Sequence, residues 1–487
     1  MINIHTEIHD KFSIEFKIGY NNDDNVEINE FSVNTWIFIP PSLNINPHTY
    51  PGERFYRDLN TKIRLITPVF ALGEIADGDM IPLKYLSESL LKLLGNPDQK
   101  QIENFEYNVK MFAAIFKSAL RNHINRTLCT SDRKSLTEQL INHLSSILSK
   151  FRLLHKEIEQ SPDRENFENY FLFADEFMSD LVYRQLFRVV SFLRLDDPQL
   201  FEQTKELLLT FIENELKYRD EKGYNRIDID SKNQNRNLVY RSGLLKKYIE
   251  SELFLNVVKK KDARFVEQIY LSLAAGVSMV FATAVAFLAQ LRYGSITIPL
   301  FVALVISYML KDRIKELMRY YFAHKLKHKY FDNKTKIDIG KGDNIGVSKE
   351  GMDFISEDKV PQSVIEMRGR TPLLEADNKI SGEKIILFRK YVKLNRQALS
   401  NITSYNISGI NEIMRLNLSS FTQKMDDPYT PLYVLRKDGE YDVMDGSKVY
   451  YLNFVMQFTD STGNSFFKHY RAILNRKGIQ EVVEVRS

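Results

Sequence analysis

At 487 residues the chain exceeds one ordinary domain, and 44% hydrophobic with 12% aromatic residues supply apolar mass for several cores, so disorder is not the default expectation. The single cysteine, Cys129, excludes internal disulfides and cysteine metal clusters and suits a reducing compartment. The net charge of +4 is concentrated: Lys259 to Lys329 holds twelve Lys and Arg against four Asp and Glu, so the remainder is net acidic and offers no basic groove for nucleic acid.

The opening "MINIHTEIHDKF" lacks an apolar core, so no cleavable signal peptide is expected. Residues 1–40 alternate in the strand manner, with Phe12, Ile14, Phe16 and Ile18, then Phe31, Val33, Thr35, Ile37 and Ile39, about a turn near "NNDDN". "PPSLNINPHTYPGE" reads as a proline-marked loop, and "RFYRDLNTKIRLITP" as a short helix or strand closing a β-rich unit over 1–81.

From 82 to 260 the period becomes helical. Ile102, Phe105, Val109, Phe112, Phe116 and Ala119 form one apolar stripe; Leu136, Leu140, Leu144, Ile147, Phe151, Leu154 and Ile158 form another. Helix starts are expected at Ser135 with Glu138, at Ser161-Pro162-Asp163 and at Asp197-Pro198. Short polar links imply antiparallel neighbours in a bundle, with the widely apolar 167–193 at its centre. The acids of that segment, Glu165, Glu168, Asp175, Glu176 and Asp180, show no Glu-x-x-His pair and are expected on solvated faces.

The next region carries the strongest signal. "QIYLSLAAGVSMVFATAVAFLAQL" has no charge and would form a helix of roughly 36 Å, enough for a hydrocarbon core of about 30 Å. "YGSITIPLFVALVISYML" is also uncharged, although Gly294 and Pro299 shorten its regular part. Cations flank both: Lys259, Lys260, Lys261 and Arg264 before, Lys311, Arg313, Lys315, Arg319, Lys325, Lys327 and Lys329 after, with Arg292 alone between. That asymmetry predicts a transmembrane hairpin over 261–330, with spans of about 268–291 and 295–310 and both termini cytoplasmic. Ala274, Ser278, Ala282 and Ala286 recur every fourth residue, a face suited to packing on the second span or on another copy of the chain. A helix from about Leu244 is expected to run into the first span, and the second to continue as a basic amphipathic helix, with cations meeting anionic headgroups.

Residues 337–487 return to strands. Asp438-Gly439 and Gly463-Asn464 predict hairpin turns, "EKIILFRKYVKLN" and "IQEVVEV" further strands, and Tyr450, Leu452, Phe454, Met456 and Phe458 one buried face.

Chemical motifs are sparse. His324 and His328, four apart, and His5 and His9 supply two ligands each, short of a metal site. "IGKGDNIG" lacks the lysine-serine ending of a phosphate loop and reads as a flexible lead into the last domain. Cys129 has no local base. The N-x-Ser/Thr triplets at Asn401, Asn406 and Asn417 are chance occurrences on a cytoplasmic domain. The expected whole is a multi-domain α+β integral membrane protein acting as a membrane-tethered scaffold or adaptor, without cofactor or metal, whose candidate partners are anionic lipid, a cytosolic protein and a second copy of the chain. The alternatives are a membrane-associated enzyme with a site assembled from distant residues, and an oligomeric pore.

Overall fold

A computed structural model describes residues 2–23, 26–77, 81–227, 232–262, 264–294, 297–321, 330–339, 342–402, 405 and 407–485. It is a mixed α+β chain that divides into two units: one from 1–63, 255–402 and 409–487, the other from 64–254 with 403–408.

The first unit is built on two antiparallel sheets. Their strands are β1 (Ile2–Asp10), β2 (Ser13–Asn21), β3 (Ile28–Ile39), β4 (Leu59–Leu65), β5 (Asn256–Lys261), β6 (Asn333–Ile339), β7 (Asp343–Ile355), β8 (Lys384–Asn395), β9 (Gly409–Asn417), β12 (Tyr450–Thr459), β13 (Ser465–Asn475) and β14 (Gly478–Val485). Strands β10 (Tyr429–Leu435) and β11 (Tyr441–Ser447) form a separate two-stranded ribbon. The small sheet runs β1-β2-β9-β4 and the large one β14-β13-β12-β3-β8-β7-β6-β5.

Alternation explains how the sheets meet. Ile14, Phe16 and Ile18 of β2 are buried, and Phe16 packs on Phe454 at 5.4 Å between ring centroids. Of the face expected for β12, Leu452, Phe454, Met456 and Phe458 are fully buried; Asn453 and Val455 on the opposite face are buried too. A second layer causes this: Trp36, Phe38, Ile385 and Val455 pack against Val360 and Val364, the latter on a short helix over Gln362–Arg368. The turn at Gly439 has φ +90 and that at Gly463 φ +83, as their sequences require. At Gly346 of β7 an added Cβ would lie 2.4 Å from the Lys393 carbonyl oxygen of β8, so only glycine fits there.

Strands expected in two separate β units therefore share one sheet, because β3 lies between β12 and β8. "RFYRDLNTKIRLITP" resolves into both elements considered for it, helix α1 (Gly52–Asp58) and β4.

The second unit holds α2 (Leu72–Asp77), α3 (Ile81–Gly95), α4 (Gln99–Cys129), α5 (Arg133–Glu159), α6 (Glu168–Asp196), α7 (Pro198–Glu221) and α8 (Lys232–Ile249). Both predicted stripes are core: Phe105, Val109, Phe112 and Phe116 of α4 and Leu140, Leu144, Ile147 and Phe151 of α5 are buried, and α6 buries Phe171, Phe177, Met178 and Leu186. Asp197 caps α7 as expected, its Oδ1 accepting from the Leu200 amide at 3.1 Å. The other two starts shift. Helix α5 begins at Arg133, ahead of Ser135, and Ser161-Pro162-Asp163 leads into one 3₁₀ turn before α6 begins at Glu168.

The first unit also holds α9 (Arg264–Tyr293), α10 (Ile298–Tyr321), α11 (Gln362–Arg368) and α12 (Pro372–Ile380). The continuous helix expected from Leu244 into the apolar run is not formed. Helix α8 ends at Ile249, and Asn256–Lys261 is strand β5, where Val257 and Val258 suit an extended backbone and three lysines blunt a sheet edge.

Candidate membrane hairpin

The edge strand β5 and its neighbour β6 place the apolar helices. Lys261 lies opposite Asn333 in their antiparallel ladder, so the chain leaves the sheet edge after β5, runs out along α9, returns along α10 and re-enters beside its point of departure. Two helices are thus inserted where a β-turn would otherwise stand.

Their mutual face is made of small residues. Ala274 and Ser278 are buried, Ala282 and Ala286 half-buried, and Ser307 of α10 donates its hydroxyl to the Ala282 carbonyl at 3.3 Å. The small-residue face therefore packs against the second helix of the same chain.

The outer faces are apolar and bare. Val280, Phe287 and Leu291 of α9 are 68%, 65% and 83% exposed; Ile298, Phe301 and Met309 of α10 are 82%, 68% and 65% exposed. A protein in water rarely leaves so contiguous an apolar surface uncovered.

The two helices differ in reach. Gln268–Tyr293 covers 26 residues, about 39 Å, and among the described residues it is the one helix long and apolar enough to cross a bilayer alone. The second begins at Ile298, not 295, and its uncharged part ends at Leu310 after about 20 Å. Pro299 at the first turn sets that start, and Lys311, Asp312 and Arg313 end the apolar stretch.

The predicted surface cations divide. Lys259, Lys260 and Lys261 lie on β5, not on a juxtamembrane helix; Lys259 is paired with Glu350 and lies over the Tyr56 ring, 4.8 Å from its centroid. Lys311 sits over the Tyr308 ring at 4.0 Å, Arg313 pairs with Glu316 at 3.2 Å, and Lys315 and Arg319 are exposed on α10. The side chain of Arg264, and His324, Lys325, Lys327, His328 and Lys329, lie outside the described residues. So do Asn406 and the Asn401 side chain; Asn417 donates to Ser13 within the small sheet at 3.4 Å.

Buried charge lies elsewhere, where sequence periodicity placed none. Asp175 and Glu176, expected on solvated faces, are 1% and 3% exposed. Arg152 donates to Asp175 Oδ1 at 3.1 Å and to both Glu215 oxygens at 2.6 and 3.1 Å. The Tyr218 and Tyr224 hydroxyls donate to Asp175 Oδ2 at 2.8 and 2.7 Å, and burial beside that carboxylate raises both phenols. Arg241 clasps Glu176 through two nitrogens. Four helices are locked by these pairs. In the first unit Lys390, 2% exposed, joins Glu350 and Glu412, and Tyr20 donates to Glu412 at 3.1 Å.

A cavity of about 360 Å³ opens among Pro40, Arg368, Arg370, Leu374, Tyr451 and Arg471. Its arginines are already engaged: Arg370 donates to Glu357 at 2.7 Å and Glu383 at 3.0 Å, Arg368 to Glu383 at 2.8 Å, and Arg471 to Asn453 at 3.1 Å. Hydrogen bonds from Arg370 hold the Glu357 carboxyl below its usual range. Beneath the cavity His469, bonded to Asn453 at 3.0 Å, is pulled down to about 4 by burial and by Arg368 and Arg471. A neutral histidine between two cations positions Asn453. Among the described residues no three His, Cys, Asp or Glu side chains are grouped to hold a metal ion. Cys129 is exposed at the end of α4.

No family model, curated protein or solved structure matches the chain.

Proposed function

We propose that α9 and α10 enter a bilayer as a two-helix hairpin and that the chain serves as a membrane-tethered scaffold with its soluble units in the cytoplasm. The observation that carries this reading is the bare apolar surface on both helices of a pair rooted in the edge strand β5 and its neighbour β6. Such a root returns both chain ends to one side, and the lone cation near the turn, Arg292, against many at the base, orients that side toward the cytoplasm. The longer α9 spans with tilt; the shorter α10 reaches the far boundary through local thinning, with Lys311 snorkelling at the base. The scaffold reading is supported by how the buried charges are used: Arg152, Arg370 and Lys390 are each committed to carboxylates that hold structural elements together, leaving surface as what the units present.

The test is alkaline extraction of membranes, followed by thiol labelling in intact cells of a Cys129→Ser protein carrying Ser295→Cys or Ser461→Cys. Extraction resistance with labelling at 295 alone is the expected result. Release by alkali removes the hairpin reading, and labelling at 461 reverses the topology. Turnover of a nucleotide or ester substrate by the purified protein would replace the scaffold with the enzyme alternative.

A further inference from the structure

The large sheet has one end from which the hairpin issues, and strand register shows what else lies there. The row through Lys261 crosses Asn333, Glu350, Lys390 and Val33 to reach Phe458. Following the direction in which β5 leads into α9, β7 runs on to Ile355, β3 to Ile39, and β12 is traced back to Tyr450. The connections at those ends therefore lie on the hairpin's side: the segment bearing α11 and α12, which joins β7 to β8, the segment joining the β10–β11 ribbon to β12, the exit of β3 after Ile39 and the turn between β13 and β14. From Phe458 to Tyr450 is about 27 Å along the strand, across five strand spacings or about 24 Å, so these ends form a front inclined at about 45° to the strands. Strands tilted by that angle to a bilayer normal bring the whole front to one plane.

Along this front two further elements expose apolar side chains. On α12, Leu373 and Ile380 are seven residues apart on one helical face, 80% and 86% exposed. On the ribbon, Leu432 opposite Met444 lies on one face, while Tyr433 opposite Val443 and Leu435 opposite Tyr441 lie on the other, all more than half exposed. A protein docking on a ribbon covers one face and leaves the other in water, whereas a lipid headgroup layer surrounds both. Tyrosines suit that layer, where an apolar ring and a polar hydroxyl are both accommodated. The turn Arg436 to Glu440 is charged, which keeps the ribbon in the interface and out of the hydrocarbon.

Building on the hairpin reading, we infer that α12 and the β10–β11 ribbon lie in the headgroup layer of the same bilayer, so that one end of the first unit rests on lipid as a platform. The anchor then fixes the unit's tilt as well as its attachment.

The test uses the full chain in lipid nanodiscs, in a Cys129→Ser background, with an environment-sensitive fluorophore on Leu373→Cys, Val434→Cys, Val280→Cys or Thr462→Cys. Thr462 lies in the turn between β12 and β13, at the opposite end of the sheet. With a shallow nitroxide-labelled lipid, probes at 373 and 434 should lose roughly half their emission or more, as expected for side chains about 5–10 Å into the interface. Val280 should be quenched by a deep nitroxide, and 462 by neither. If 280 is quenched while 373 and 434 match 462, the platform is wrong and the hairpin stands; if 280 is silent, the hairpin fails and the platform with it. Quenching at only one of 373 and 434 overturns the paired platform.

Discussion

Helices α6 and α9 are almost equal in length, 29 and 30 residues, and both are rich in large apolar side chains, yet the fold treats them oppositely. Helix α6 carries Asp175, Glu176 and Asp180 and is the buried centre of its bundle; α9 has no charge from Gln268 to Leu291 and is left bare. A helix that folds in water keeps polar residues to mark its register among neighbours, and buries some of them when a cation can be brought to meet them. One without charges has no means of choosing a wet side. Its outer faces are accordingly apolar and exposed.

The comparison breaks most sharply at Arg152. Replacing it with Met strands Asp175 and Glu215 in the bundle interior and should cost about 3–5 kcal/mol of stability, read by denaturant melts, while membrane association is unchanged. Adding Glu215→Gln should recover part of the loss. At the bare centre of α9, Val280→Arg is the reciprocal test: a water-exposed site would tolerate it, whereas insertion should lose about 2.5–3.5 kcal/mol, seen as a smaller alkali-resistant fraction. The two substitutions should therefore separate folding of the bundle from insertion of the hairpin.

A third measurement concerns charge that is excluded instead of paired. His469 titrates near 4 when folded against about 6.5 unfolded, so below pH 6.5 the unfolded chain takes up a proton that the folded one refuses. Stability of the first unit should fall as pH drops from 6.5 to 4, by as much as about 3 kcal/mol, and His469→Asn should flatten that slope. The smallest effect belongs to the cap of α7, where Asp197→Ala should cost about 1 kcal/mol in thermal melts. A null result there would assign that helix start to Pro198 alone.

Much of the fold was legible locally. The stripes of α4 and α5, the alternation of β2 and β12 and the turns at Gly439 and Gly463 follow from periods and glycine positions that act within a few residues. Burial of Asp175 and Glu176 was not, because it depends on Arg152 and Arg241 arriving from other helices. Nor was β5, where the absence of proline between Pro198 and Pro299 suggested a continuous helix and only pairing with β6 shows an edge strand. The arginines around the 360 Å³ cavity escaped notice for the same reason: Arg368, Arg370 and Arg471 are brought together by sheet order, not by spacing.

By itself, then, the sequence determined most of the helical and extended segments, β5 excepted, and which stretch would be apolar and free of charge, since propensity, period and charge count are properties of neighbours along the chain. Only the tertiary structure decided that β3 enters the sheet between β12 and β8, that the acids of α6 are sealed inside, and that one sheet end gathers the hairpin, α12 and the ribbon. Those outcomes rest on contacts between residues hundreds of positions apart, whose free energy exists only once the chain has closed upon itself.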